Sequence, residues 1–246
     1  MKLLVCVSKT PDTTTKIVLN ADQTALDTNG VQYIMNPYDE WYALVRALEL
    51  KEAQGGTVTI INVGLAANDP IIRKGLAIGA DDAVRIDIEP GSSLNVAKQI
   101  AAYAKDQGFD MIFFGKETID YNGSEVSAMT AELLDMPFVS YASNMEVTGQ
   151  TATIKRDIEG GVEVVELDTP FVLSAAKGLA EQRIPNMRGI MMAKRKPLNV
   201  VTAIDVTDYT EAVQYELPVE KSAVKLIDPE NMDELVRLLS EEAKAL

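Results

Sequence analysis

The chain has 246 residues, a formal charge of −14 and no histidine. That charge excludes a nonspecific binder of nucleic acid or anionic membranes, because phosphate contacts need clustered Lys and Arg. With no histidine and Cys6 as the lone cysteine, His-dependent catalysis and an intrachain disulfide are excluded, and no ligand set remains for a zinc or iron–sulfur site.

The first apolar run, "LLVCV" (3–7), is followed at once by the polar "SKTPDTTTK". It is too short for the core of a secretory leader and reads as a buried strand. Residues 16–35 read as a small hairpin inserted in the crossover that follows. A helix then starts at "NPYDE", with Asn36 as N-cap, Pro37 in the first turn and Asp39 reaching back as in a capping box. Trp41, Leu44, Val45 and Leu48 line its inner face.

Three more runs, "TVTIINVG" (57–64), "AVRIDI" (83–88) and "DMIFFG" (110–115), are short and rich in β-branched or aromatic residues. Such runs suit strands buried on both faces. Between them, Asp69 and Pro70 open a helix carrying Ile72, Leu76 and Ala77 at helical spacing. Ser93 is placed to cap the next helix, which stops at Gly108. Strand and helix alternating in this order predict an α/β fold with a doubly wound, mostly parallel sheet.

After residue 138 the texture changes to alternating apolar and polar residues, with turns at Gly149-Gln150 and Gly160-Gly161. This predicts added antiparallel strands in a meander. From Lys194 the chain is strand-poor, so residues 1–193 read as the nucleotide-binding α/β domain and 194–246 as a C-terminal arm. The last helix, capped by Asp228 and Pro229, carries a stripe of Met232, Leu235, Val236, Leu239, Ala243 and Leu246. Either it folds back on its own sheet, or it finishes its core on another chain.

Ligands of an open parallel sheet sit beyond the carboxyl ends of the strands, where the strand order reverses. The loops leaving residues 7, 63 and 115, with the turn at Asn36, are the candidate site. In "GKETIDYNGSEVSAMTAELLD" (115–135), backbone N–H groups at a helix start, Gly123, and the hydroxyls of Ser124 and Ser127 could cradle a phosphate. The same residues also serve as a plain cap and turn, since this is neither a Walker A loop nor G-x-G-x-x-G. Asn36-Pro37-Tyr38-Asp39 has the same two readings. In "AEQRIPNMRGIMMAKRK" (180–196), a Met-rich apolar set lies among basic residues, which favours a docking surface or subunit interface over a buried crossover.

"MNPYDE", "GKETIDYNG", "RDIEGGVE" and "RIPNMRGIMMAKRKP" occur in this order, and together they resemble the β subunit of electron transfer flavoprotein. The resemblance runs from residue 1 to about 200. It implies a Rossmann-like fold akin to adenine-nucleotide hydrolases, and a heterodimer whose α subunit holds most of the FAD. It also implies an AMP bound structurally, so the chain is an electron carrier subunit and not an enzyme. Carried over by position, the AMP-binding residues are Cys6, Asn36, Pro37, Tyr38, Asp39, Val63 and the run Asp120, Tyr121, Asn122, Gly123, Ser124, Glu125, Val126, Ser127, Ala128, Met129, Thr130 and Ala131. Tyr38 and Thr13 fall toward the flavin, Thr13 where an aromatic is usual. Glu125 stands where a glutamine is usual near the phosphate. Ile184, Pro185, Met187, Ile190 and Met191 fall in the partner-docking loop, with Met187 at an anchor position where leucine is usual.

The resemblance implies electrons taken from acyl-CoA dehydrogenase-like donors of fatty acid β-oxidation and passed to a membrane quinone oxidoreductase, in a bacterial cytoplasm. Neither membrane insertion nor nucleic-acid binding is expected. Two alternatives stand beside this: a bifurcating flavoprotein with a second FAD in the AMP seat, and an adenine-nucleotide hydrolase or nucleotide-sensing module. The hydrolase reading lacks its expected Ser-Gly-Gly phosphate loop.

Overall fold

The computed structural model describes residues 1–221 and 223–246. The predicted α/β architecture is present. β1 (Lys2–Cys6) is followed by a short antiparallel pair, β2 (Thr10–Pro11) with β3 (Tyr33–Ile34), and then by α1 (Asp39–Gln54). Next come β4 (Thr57–Val63), α2 (Asp69–Ile78), β5 (Asp82–Asp87), α3 (Ser93–Ala104), β6 (Met111–Gly115) and α4 (Glu125–Leu134). β7 (Phe138–Thr148), β8 (Thr151–Ile158), β9 (Gly161–Asp168), β10 (Phe171–Ala175), α5 (Met187–Ala193), β11 (Leu198–Thr202) and α6 (Met232–Glu241) complete the order.

Among the described residues, one nine-stranded sheet has the order β11-β5-β4-β1-β6-β10-β7-β8-β9. The pairs from β11 to β7 are parallel, and β7-β8 and β8-β9 are antiparallel. Alternate residues of each parallel strand point to opposite faces. Leu3 and Val5 join Val58, Ile60, Met111 and Phe113 under α1 and α2. Leu4 and Cys6 join Ile61, Val84, Ile112 and Phe114 under α3 and α4. Both faces are covered, which is why these strands read as continuous apolar runs rather than alternating ones. Truncating a fully buried member such as Leu4 to alanine costs about 2–5 kcal/mol.

Four helix starts differ from the sequence reading. Asn36 lies two residues ahead of α1's own N-cap, Tyr38, and its Oδ1 accepts the Tyr38 N–H at 3.0 Å, so Pro37 precedes the helix and Asp39 is its first residue. α2 is capped at Asn68 after a 3-10 turn (Ala66–Asn68), and α3 at Ser92, whose Oγ accepts the Asn95 N–H at 3.2 Å. α6 is capped by Asn231, whose Oδ1 accepts from Glu234, rather than by Asp228 and Pro229.

The insert between β1 and α1 has a single bridge, Leu19 to Leu26, inside 16–35. Its base is closed by β2, which lies outside that range. The meander contains only β7, β8 and β9; β10 turns back into the parallel sheet between β6 and β7. β11 is a further parallel strand that pairs with β5 from Leu198 to Thr202, so the arm leaves the sheet after residue 202 and not at 194. Along α6 only Leu238 is buried, while Met232 and Val236 are exposed. Its apolar stripe is left mostly uncovered by the described residues.

Candidate functional site

The chain runs outward from β1 through β4 to β5, then crosses back over the sheet to β6 on the other side of β1. The strand order therefore reverses between β1 and β6, and their carboxyl ends open a crevice there. A cavity of about 320 Å³ occupies it, within the size range of small-molecule sites. One wall is apolar, from Cys6, Ile61, Val63, Ile100 and Phe114. The opposite side is polar, made by the loop after β6 and the start of α4.

That loop is closed by its own bonds. Thr118 donates its N–H to the Gly123 carbonyl at 2.9 Å, and its Oγ1 accepts the Gly123 N–H at 2.9 Å. The Asn122 N–H reaches the Thr118 carbonyl at 3.0 Å, with Asn122 at φ +55. A Cβ at Gly123 would strike the Tyr121 ring, so glycine lets that ring fold across the loop. α4 begins with no side-chain cap at Ser124. The first N–H groups of a helix lack intrahelical partners and carry its positive end. This uncapped terminus stands beside the cavity, with Ser124 and buried Ser127 in the cavity lining.

The charged lining groups are Lys9, Glu40, Glu117 and Asp120. Glu40 is buried, 7% exposed, and accepts from Ser8 through both backbone and hydroxyl. Burial pushes its carboxyl up to about 7, against the pull of the Ser8 hydrogen bonds. Asp39 is raised to about 6, again by burial first. Cys6 is raised well above the usual thiol range by burial and then by the Glu40 charge. A thiol held protonated is a poor nucleophile, so Cys6 serves this site as an apolar wall.

The structure gathers Cys6, Val63, Asp120, Tyr121, Gly123, Ser124, Val126 and Ser127 in the cavity lining. Asn122 and Glu125 belong to the same loop and helix start but not to the lining, and Ala128, Met129, Thr130 and Ala131 continue α4 beyond it. Asn36 is buried and serves as a tie: its Nδ2 donates to the Glu117 carbonyl at 3.0 Å, joining the turn before α1 to the loop after β6. Pro37, Tyr38 and Asp39 lie outside the lining, with Tyr38 and Thr13 exposed. Ser8, Lys9, Glu40, Asn68, Thr118 and the turn Pro90–Gly91 were not among the expected residues. Apart from Glu40, which sits in the first turn of α1, their signal was positional: they follow the tips of β1, β4, β5 and β6.

Ile184, Met187, Ile190 and Met191 are exposed, and Pro185 partly so. Their segment is tied to the body by hydrogen bonds and an ion pair. Trp41 Nε1 donates to the Arg183 carbonyl at 3.1 Å, and Arg183 pairs with Glu52. Arg73 donates to the carbonyls of Ala193 and Lys196. Among the described residues, no group of His, Cys, Asp or Glu is arranged to hold a metal ion, and no helix is long and apolar enough to cross a membrane.

The family model described as "Electron transfer flavoprotein domain" matches residues 23–206. The chain is 37% identical to the electron transfer flavoprotein subunit beta of Bacillus subtilis (strain 168), over 100% of both chains. It is 32% identical to the Homo sapiens subunit beta, over 98% of this chain and 97% of the human one. The mitochondrial subunit beta of Oryza sativa subsp. indica is 32% identical, over 100% of both. On these full-length likenesses the chain belongs to the electron transfer flavoprotein β-subunit family, a family of electron-transfer subunits.

Proposed function

We propose that this chain is the β subunit of a heterodimeric electron transfer flavoprotein and that its cavity holds AMP as a structural ligand. The observation that carries the reading is the uncapped start of α4 facing a cavity of about 320 Å³ at the strand-order reversal. The residues fit an adenylate: the apolar wall of Cys6, Ile61, Val63, Ile100 and Phe114 suits a flat base. The α4 N–H groups, Ser124, Ser127 and Lys9 suit a phosphate. Glu40, Glu117 and Asp120 are the lining charges in conflict with an anion, and the raised pKa of Glu40 lessens its share near neutral pH. Glu125, the first residue of α4, is exposed and outside the lining.

The flavin, an FAD held mainly by an α subunit, supplies the one- and two-electron chemistry when bound. In this reading Tyr38 and Thr13 face that subunit, and residues beyond 202 with the open stripe of α6 wrap it. The exposed set around Met187 docks acyl-CoA dehydrogenase-like donors of fatty acid β-oxidation, and a quinone oxidoreductase takes the electrons. The setting is a bacterial cytoplasm.

The test is functional. The chain co-produced with its α subunit should give a yellow two-subunit protein. Its flavin should be reduced by an acyl-CoA dehydrogenase with substrate and reoxidised by a quinone reductase. A colourless chain that stays alone, or a flavin that neither partner touches, would overturn the reading.

A further inference from the structure

Helix α3 is a wall shared by two features. Its Ser93, Val96 and Ile100 line the cavity. Ser92, Asn95 and Gln99, each one position away and so rotated by about 100°, face the root of the C-terminal arm. Asp208, on the arm, accepts the Ser92 N–H at 3.0 Å, the Ser92 hydroxyl, and the Asn95 Nδ2 at 2.8 Å. Buried Gln99 clasps the Ile204 backbone from both sides, donating to its carbonyl at 2.8 Å and accepting its N–H at 2.9 Å. The Lys98 ammonium lies 5.7 Å from the Tyr209 ring centroid.

The cavity rim is part of this network. Pro90, Gly91 and Ser93 line the cavity, and a Cβ on Gly91 would land on Asp208 Oδ2. The carboxylate also sits at the α3 N-terminus, where helix N–H groups favour a negative charge. Its pKa is held below the usual range by the Ser92 and Asn95 bonds. Removing Asp208 would leave the Ser92 N–H and the Asn95 amide without these partners and take away the wall behind Gly91.

We propose that Asp208 and Gln99 form a latch that couples the arm's root to the cavity rim, so that ordering either one orders the other. The part of this that concerns a bound nucleotide rests on the adenylate reading above. A ligand touching Pro90, Gly91 or Ser93 then meets a rim already held in one arrangement, and coupling of this kind is reciprocal. An arm docked on a partner tightens the ligand, and a bound ligand steadies the arm.

Hydrogen–deuterium exchange on the full chain tests the latch directly. Asp208→Ala should speed exchange roughly fivefold, the lower end of usual coupling factors, in both residues 89–95 and 203–210. Exchange in β7–β9 should stay unchanged. Asp208→Asn, which keeps an acceptor for Ser92, should show a smaller effect in both segments. A loosened arm root beside a rim with wild-type exchange would overturn the coupling, as would no change in either. AMP is the second probe: added to the wild-type chain it should slow exchange at 203–210 as well as at the rim, and Asp208→Ala should weaken its binding by a similar factor. Protection of the rim alone would also overturn the latch. An absence of AMP binding to the wild-type chain would instead overturn the adenylate reading, and the latch would still be decided by the exchange pattern of Asp208→Ala.

Discussion

The Glu40 carboxylate meets Ser8 twice: one oxygen accepts the Ser8 N–H at 3.0 Å and the Ser8 hydroxyl at 2.5 Å. This pair joins the exit of β1 to the first turn of α1, on the floor of the cavity. It satisfies the acid's hydrogen-bonding needs without a cation, so burial wins and the carboxyl is raised to about 7.

That shift fixes the sign of a pH dependence. Glu40, and Asp39 raised to about 6, hold protons more tightly in the folded chain than unfolded. Their contribution to stability is fully present below their unfolded values and is lost as pH rises through about 6 to 7. Glu40→Gln retains an acceptor for Ser8 and removes the larger share. Urea unfolding of the wild type should show stability falling by on the order of 2 kcal/mol between about pH 5 and about pH 8, and a clearly shallower fall in the variant. Parallel curves would rule out Glu40 as the titrating group. AMP should also bind the wild type more tightly toward the acid end of that window, because a neutral Glu40 no longer opposes the phosphate.

Gly123→Ala should weaken AMP binding while sparing the fold. Its added Cβ meets the ring of exposed Tyr121, which can swing into solvent, so the loop surface changes while the core does not. Calorimetric titration should show AMP affinity at least several-fold lower with little change in Tm. Unchanged affinity would place the phosphate elsewhere.

Met187 is 73% exposed, so Met187→Ala should leave stability and flavin content as they are. Loss of an apolar anchor should slow electron transfer from the dehydrogenase, by about 1–2 kcal/mol of docking. Stopped-flow reduction at varied dehydrogenase concentration measures this, and a wild-type rate would remove Met187 from the docking surface.

Trp41→Phe should act on the same segment. It deletes the bond from Nε1 to the Arg183 carbonyl, worth about 1 kcal/mol, and frees segment 180–186. Faster hydrogen exchange there, with weaker docking, is the expected result; wild-type exchange would show that Glu52 and Arg183 alone hold the segment.

Much of this was legible because burial writes itself into composition. "LLVCV", "TVTIINVG" and "DMIFFG" are largely apolar on both faces, while "AVRIDI" sets Arg85 and Asp87 on one, and all four are mostly buried strands. "FVLSA" and "LNVVT" were misplaced because local composition carries no information about a strand's neighbours. The first inserts between β6 and β7, and the second, coming just after Pro197, closes the far edge beside β5. Helix starts slipped by one to three residues where several capping residues stand together, as in Ser92-Ser93 and in Asp228-Pro229 with Asn231.

The site was half legible. The loop from Asp120 to Ser127 announces itself by glycine and hydroxyl residues ahead of a helix. Glu40 does not, since an acid in a helix's first turn looks solvated until Ser8 is brought to it. Asn36 stands at the expected turn but in a different role, because it ties two loops together and does not cap α1.

Releasing the nucleotides from the purified two-subunit protein by heat and separating them by chromatography tests the central claim most directly. The account predicts AMP in equal amount to this chain, accompanied by FAD in equal amount to the pair. FAD at twice that amount with no AMP, or no adenylate at all, would contradict it.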